Sequence, residues 1–178
     1  RLPVQHERLE VAVGDIFDRD GLAAILAGHE VVISSYGPQV GTGREEELLE
    51  ATRSLIAAAK KAGVARLLAV GGAGSLTVAP GVQLMDLPEF PPNALPIAQA
   101  HKDALKIYRQ EQELDWVVLS PAADIRPGER TGQYRLGAEE LVRDARGQSR
   151  ISAEDFAVAL LDEVENPRHH RQRFTVGY

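Results

Sequence analysis

Short apolar runs that break off at glycine, serine or proline alternate along this chain with stretches where apolar residues recur every three or four positions. The runs predict strands at Leu9–Val13, Glu30–Ser34, Arg66–Val70, Asp115–Ser120 and Arg173–Tyr178. The periodic stretches predict helices between them. A short one follows Asp18 and places Leu22, Ile25 and Leu26 on one side, with Gly28 as its stop. A second opens on the Thr42–Glu45 capping-box pattern, buries Leu48, Leu55, Ile56 and Ala59, and ends at Gly63. A third runs from Ile97 to about Gln112. The last is capped by Ser152 and turns Phe156, Ala159, Leu160 and Val164 inward. Between Ser75 and Pro96 the period fails and five prolines intervene, which predicts a long connection over a sheet edge.

Strands that alternate with helices predict right-handed βαβ units, hence an α/β, Rossmann-like, doubly wound parallel sheet. Its centre is Leu67–Val70, an unbroken apolar run of the kind buried on both faces of a parallel sheet. That run passes directly into Gly71, Gly72, Ala73, Gly74 and Ser75. Gly72-x-Gly74 opens like a dinucleotide fingerprint, but Thr77 stands where a third glycine belongs and Pro80 forbids an immediate helix. The segment therefore reads as a later strand exit at which backbone lies close to a flat ring. Ligands of such sheets bind outside the carboxyl ends of the strands. The exits at Gly14-Asp15, Ser34–Gly37, Gly71–Ser75 and Pro121–Ala123 are the expected cleft. Gly41-x-Gly43 can also be read as an anion cradle, but Glu45, Glu46 and Glu47 would repel a phosphate there, which favours capping.

Composition narrows the function classes. The 178 residues suffice for one domain, taken as 1–178, with 122–150 as a substrate-side loop segment inside it. A net charge of −6 argues against a nucleic-acid partner. No apolar run is long enough for a membrane span. The absence of cysteine excludes disulfides and thiolate sites and is compatible with a cytoplasmic location. His169 and His170, beside Pro167 and Arg168, read as a solvated turn rather than a metal pair, and no metal site is expected. Self-association into a homo-oligomer is left open.

The segments Val11–Asp18 (VAVGDIFD), Val70–Leu76 (VGGAGSL), Leu114–Ala122 (LDWVVLSPA), Pro127–Gly137 (PGERTGQYRLG), Arg150–Ala157 and Arg173–Tyr178 resemble the NmrA-like branch of the atypical short-chain dehydrogenase/reductases. More narrowly, they are similar to the bacterial NADH–flavin reductases with the fold of biliverdin reductase B. The resemblance spans the chain and implies an NAD or NADP cofactor, with FMN or FAD as a candidate substrate. It implies that Asp15 and Ile16 border the adenine and that Ser34, Ser35, Tyr36 and Gly37 pass the ribose and pyrophosphate. Gly71, Gly72, Ala73, Gly74, Ser75, Pro121, Ala122 and Ala123 would flank the nicotinamide. Read locally, the alternative for Asp15 is a turn residue after Gly14, and for the two serines strand-end hydroxyls serving loop amides.

Two departures from the family pattern matter. Alcohol-oxidising members use Tyr-x-x-x-Lys for proton transfer, whereas here Lys102 is preceded four residues earlier by Ala98. Lys102 is thus either a residual catalytic group or a solvated helical lysine. The pattern also lacks the family's glycine-rich phosphate loop and its first β-α-β segment, so the sequence is expected to be part of a longer polypeptide and does not discriminate NAD from NADP. The expected function is an NAD(P)H-dependent oxidoreductase that reduces a flavin or quinone-like ring. A dinucleotide-sensing regulatory protein without turnover, and an epimerase, are the alternatives. Arg126, Arg130 and Arg135 are candidates for an anionic substrate.

Overall fold

The computed structural model describes residues 4–178. In chain order these hold α1 (Arg19–Leu26), β1 (Val31–Ser34), α2 (Glu47–Ala62), β2 (Arg66–Val70), β3 (Thr77–Ala79), β4 (Val82–Gln83), α3 (Leu95–Gln110), β5 (Asp115–Ser120), β6 (Asp124–Arg126), β7 (Arg135–Gly137), β8 (Arg150–Ser152), α4 (Ala153–Glu165) and β9 (Gln172–Gly177). The main sheet has the order β1-β2-β5-β9-β7. Its first four strands are parallel, and β7 runs antiparallel to β9. This is one wing of a Rossmann-like sheet, with successive parallel strands stepping in one direction.

The helices cover both faces. Leu55, Ile56 and Ala59 of α2 and Leu105 and Tyr108 of α3 pack with Leu67, Ala69, Trp116 and Val118, and α1 adds Leu22 and Leu26. On the other face Phe156, Ala159 and Leu160 of α4 meet Leu68, Val117, Leu119, Phe174 and Val176. Alternation along β2 and β5 explains the split, because successive side chains point to opposite faces. The residues expected to face inward on α2 and α4 do so. Ser152 caps α4 by accepting from the Asp155 amide at 3.0 Å.

Three expectations need correction. Leu9–Val13 forms no strand: it is irregular, and Leu9, Val11 and Val13 are exposed, Val13 at 97%. It pairs with neither β1 nor any other strand among the described residues, so its alternating pattern has no sheet edge to satisfy. Second, Thr42 does not cap α2, which begins only at Glu47. The Thr42 hydroxyl donates to the Gln39 carbonyl instead. Glu45 folds back and accepts from the Gly41 amide at 2.8 Å, so the chain's own carboxylate occupies the Gly41-x-Gly43 turn. Its own amide and those of Gly41, Gly43 and Thr42 hold its pKa below the usual carboxylate range, against the opposing pull of burial. Third, the 75–96 connection is ordered into the β3–β4 hairpin and two 3₁₀ turns rather than one irregular loop.

Candidate functional site

The exit of β2 is built by close approach of α3. A Cβ on Gly72 would stand 2.9 Å from His101 Cβ, and one on Gly74 only 2.6 Å from Ala98 Cβ. A Cβ on Gly71 would meet Val118 at 2.6 Å. None of these glycines needs a positive φ, so they are glycine because neighbours leave no space. Beyond them Ser75 is buried, and Arg173 of β9 donates to its hydroxyl at 2.8 Å. Arg173 also bonds Glu139, which reaches Arg109 of α3 at 2.8 Å. The far end of the glycine-rich exit is thereby clamped between β9 and α3.

The near end is open. A narrow cleft between α2 and α3, with a cavity volume of about 20 Å³ at its base, is lined by Ile16, Ser34, Tyr36, Gly71 and His101 over an apolar floor of Leu48, Leu55 and Leu105. That base has room for roughly one water molecule. Phe17 meets Tyr36 edge-on at 6.2 Å, so Ile16, Phe17 and Tyr36 form an apolar wall at the mouth. Burial, then the charge of Glu47, raises the Tyr36 pKa, so its phenol stays protonated near neutrality. Burial lowers the His101 pKa to about 4, so the imidazole is neutral there.

The structure thus gathers Ile16, Ser34, Tyr36 and Gly71 into one cleft, with His101 beside them. Ser35, Gly37, Gly72, Ala73, Gly74, Ser75, Pro121, Ala122 and Ala123 do not line it. Pro121 and Ala122 are buried at the β5 exit, and the Ala123 amide donates to Ser149. Asp15 is exposed, and its carboxylate accepts from the Phe17 amide at 2.9 Å, which is the local turn geometry. Lys102 stands off the buried stripe of α3 and does not line the cleft. The buried residues of α3 are Ala98, Ala100, Ala104, Leu105 and Tyr108, and the half-buried His101 lies among them at helical spacing. Sequence reasoning fixed on Lys102 and missed His101, although a histidine on an apolar stripe was the available signal.

A second, wider cavity of about 820 Å³ lies beyond the β5 exit, bounded by Arg126, Gly128, Thr131, Arg150, Ser152 and Tyr178. One buried carboxylate holds its wall. Asp155 accepts from the Thr131 amide and hydroxyl, the Gly132 amide and the Tyr178 hydroxyl, all within 2.8 Å. Burial alone would raise its pKa, but these hydrogen bonds hold it down at about 2. Of the arginines considered for an anion, Arg126 pairs with Asp124 and Arg135 bonds the carbonyls of Arg143 and Tyr178.

An apolar wall and a strand-end serine at a strand exit, beside close-packed glycine backbone, fit an adenine dinucleotide. The sequence profile of the NAD(P)H-binding family matches residues 1–167. The chain belongs to that family. This NAD(P)H-binding protein is 41% identical to the uncharacterized protein YwnB of Bacillus subtilis (strain 168), over 97% of this chain and 81% of that protein. A crystal structure of a proposed epimerase from Bacteroides thetaiotaomicron superposes with a TM-score of 0.93 at 44% identity, covering 99% of this chain and 80% of the other. A proposed NADH-flavin reductase from Streptococcus pneumoniae TIGR4 superposes at 0.81 and 31% identity, covering 99% and 84%. Among the described residues, no helix is long and apolar enough to cross a membrane, and no cluster could hold a metal ion.

Proposed function

We propose that this protein is an NAD(P)H-dependent reductase whose acceptor is a flat conjugated ring such as a flavin or quinone. The observation that carries this reading is the contact of Ala98 with Gly74. At the position where alcohol dehydrogenases of the resembled class place a tyrosine, the helix closes directly on the loop, leaving no room for a phenol. The cleft therefore offers no proton donor of that type. Tyr36 does line the cleft with its phenol protonated, but Val40 stands where that class places its lysine. A bound nicotinamide supplies hydride, and a ring that accepts hydride readily needs positioning more than acid catalysis. Ile16 and Tyr36 would hold the adenine half, Ser34 and Ser35 the ribose and pyrophosphate, and Gly71 and Gly72 the nicotinamide face.

The cavity bounded by Arg126, Arg150 and Tyr178 is of a size for the acceptor, with a wall made rigid by Asp155. The likeness to a proposed NADH-flavin reductase supports this choice of acceptor. The likeness to a proposed epimerase keeps that activity as the second reading, and the missing tyrosine disfavours it. A cytoplasmic location, compatible with the absence of cysteine, belongs to the same proposal. Incubating the protein with NADPH or NADH and FMN, and following loss of the reduced nicotinamide, tests the reading. FMN-dependent oxidation supports a reductase. Tight dinucleotide binding without oxidation by FMN or a quinone favours a sensing role.

A further inference from the structure

The wide cavity beyond the β5 exit has two short strands in its wall, and their register decides what faces it. β6 and β8 pair in parallel, with Asp124 opposite Arg150 and Arg126 opposite Ser152. Side chains alternate along a strand, so these four share one face, and all four line the cavity. A carboxylate and two guanidiniums therefore stand side by side on one small surface. Their pairing is unequal. Asp124 takes two bonds from Arg126, 2.9 Å from Nε and 2.6 Å from one terminal nitrogen, which leaves the other terminal nitrogen without a partner among the described residues. Arg150 has no such fork. It reaches Asp144 only at 4.0 Å, and Asp144 already accepts from the amides of Arg146 and Gln148 at 2.8 and 2.9 Å. The side-chain amides of Gln133 and Gln148 line the same cavity and make no hydrogen bond among the described residues. Against these spare donors stands the carboxylate of Glu129, which makes no ion pair among the described residues.

We propose that this cavity reads a negative charge on the acceptor, with Arg150 as the binding residue for its phosphate and Arg126 as the second donor. This rests on the reading of the protein as a reductase of a flat ring. It narrows that acceptor to a ring with an anionic tail, such as FMN, over the same ring uncharged, as in riboflavin. A guanidinium offers a planar pair of N–H donors that matches two phosphate oxygens, and it stays charged at any working pH. Asp124 holds Arg126 in place, so its spare nitrogen is presented at a fixed position. The Ala123 amide donates to Ser149, the neighbour of Arg150, at 3.1 Å, which ties the arginine surface to the β5 exit.

FMN and riboflavin carry one ring and differ in the phosphate, so together they isolate the tail. Both arginine side chains are more than half exposed, so substituting them leaves the fold intact. With saturating reduced nicotinamide, the KM for FMN is expected to lie about tenfold below that for riboflavin. Arg150→Gln should raise the FMN KM about tenfold, with kcat and the riboflavin KM within about twofold. Arg126→Gln should give a smaller rise, and Glu129→Gln should lower the FMN KM. Quenching of flavin fluorescence reads binding without turnover and should follow the same order. Equal KM values for the two flavins, or an Arg150→Gln loss that riboflavin shares, overturn the phosphate site and leave the reductase reading standing. FMN that binds through Arg150 without being reduced overturns the reductase reading and leaves the phosphate site standing. Wild-type protein that neither binds nor reduces FMN overturns both.

Discussion

The two ends of the five-residue strand β2 treat polar groups differently. At its entry Arg66 is buried, and both terminal nitrogens of its guanidinium are engaged, while Nε has no partner among the described residues. It donates to Asp115 at 2.5 Å, to Glu163 at 2.6 Å and to the His169 carbonyl at 2.8 Å. Glu163 also accepts from the amides of Arg168 and His169 and pairs with the His169 ring, which stacks on Phe174 at 4.1 Å. Burial would raise the Glu163 pKa, but these bonds hold it below the usual range. At the exit, Gly71 and Gly72 pack against Val118 and His101 with no space for a side chain, and the half-buried His101 ring lines the cleft without a hydrogen bond among the described residues. Charges paired inside the fold hold it together, whereas the polar side chains of the cleft, Ser34, Tyr36 and His101, are only half-buried. His169 belongs to the first kind, which corrects its reading as part of a solvated turn, while His170 remains largely exposed.

The strongest way to break this contrast is at the entry. Arg66→Ala leaves Glu163, itself 3% exposed, as a buried carboxylate without its guanidinium. We expect a stability loss of about 3–5 kcal/mol in urea unfolding. A loss under about 1 kcal/mol would show that the cluster is solvated and the contrast empty. At the exit, Gly74→Val drives a side chain into Ala98 and is expected to cost about 1–3 kcal/mol. Ala98→Gly in the same protein should return part of that loss, and strictly additive effects would mean that the two positions do not touch.

A third expectation concerns acid. The fold holds Asp155 at about 2 against an ordinary 3.8, so the folded state favours its carboxylate form. The resulting stability is present above about pH 4 and is lost as pH falls toward 2. Asp155→Asn should lower stability at pH 7 by about 1–2 kcal/mol and flatten the acid limb of the unfolding curve. An unchanged acid limb would move the pH dependence to Glu163 and its neighbours.

Much of this fold was legible because its core elements are local and periodic. Leu67–Val70 and Trp116–Leu119 read as buried strands from their unbroken apolar runs, and Ser152 read as a cap from its place before Glu154 and Asp155. Leu9–Val13 misled because alternation records only what a segment is able to pair with, and no partner stands beside it among the described residues. Thr42–Glu45 misled because a capping pattern competes with any other amides in reach, and Gly41 was nearer for Glu45. At the site, Ser34, Tyr36 and Gly71 were legible as strand exits. The place of His101 was not, since it depends on Gly72 lying across from it, a contact between residues 29 positions apart.

The smallest expected effect sharpens the comparison further. Lys102 neighbours His101 in sequence, yet it stands off the buried stripe, does not line the cleft and makes no ion pair among the described residues. In a tyrosine-dependent dehydrogenase the lysine matters because it lowers the pKa of the phenol four residues earlier. With Ala98 in that place there is no phenol to act on. Lys102→Ala should therefore leave urea stability within about 0.5 kcal/mol, as for an ordinary surface substitution. Turnover with NAD(P)H and FMN should fall by less than about threefold, far short of the 10²–10⁴-fold loss of a true acid–base group. A collapse of turnover in protein that remains folded would place a cation in the reaction after all.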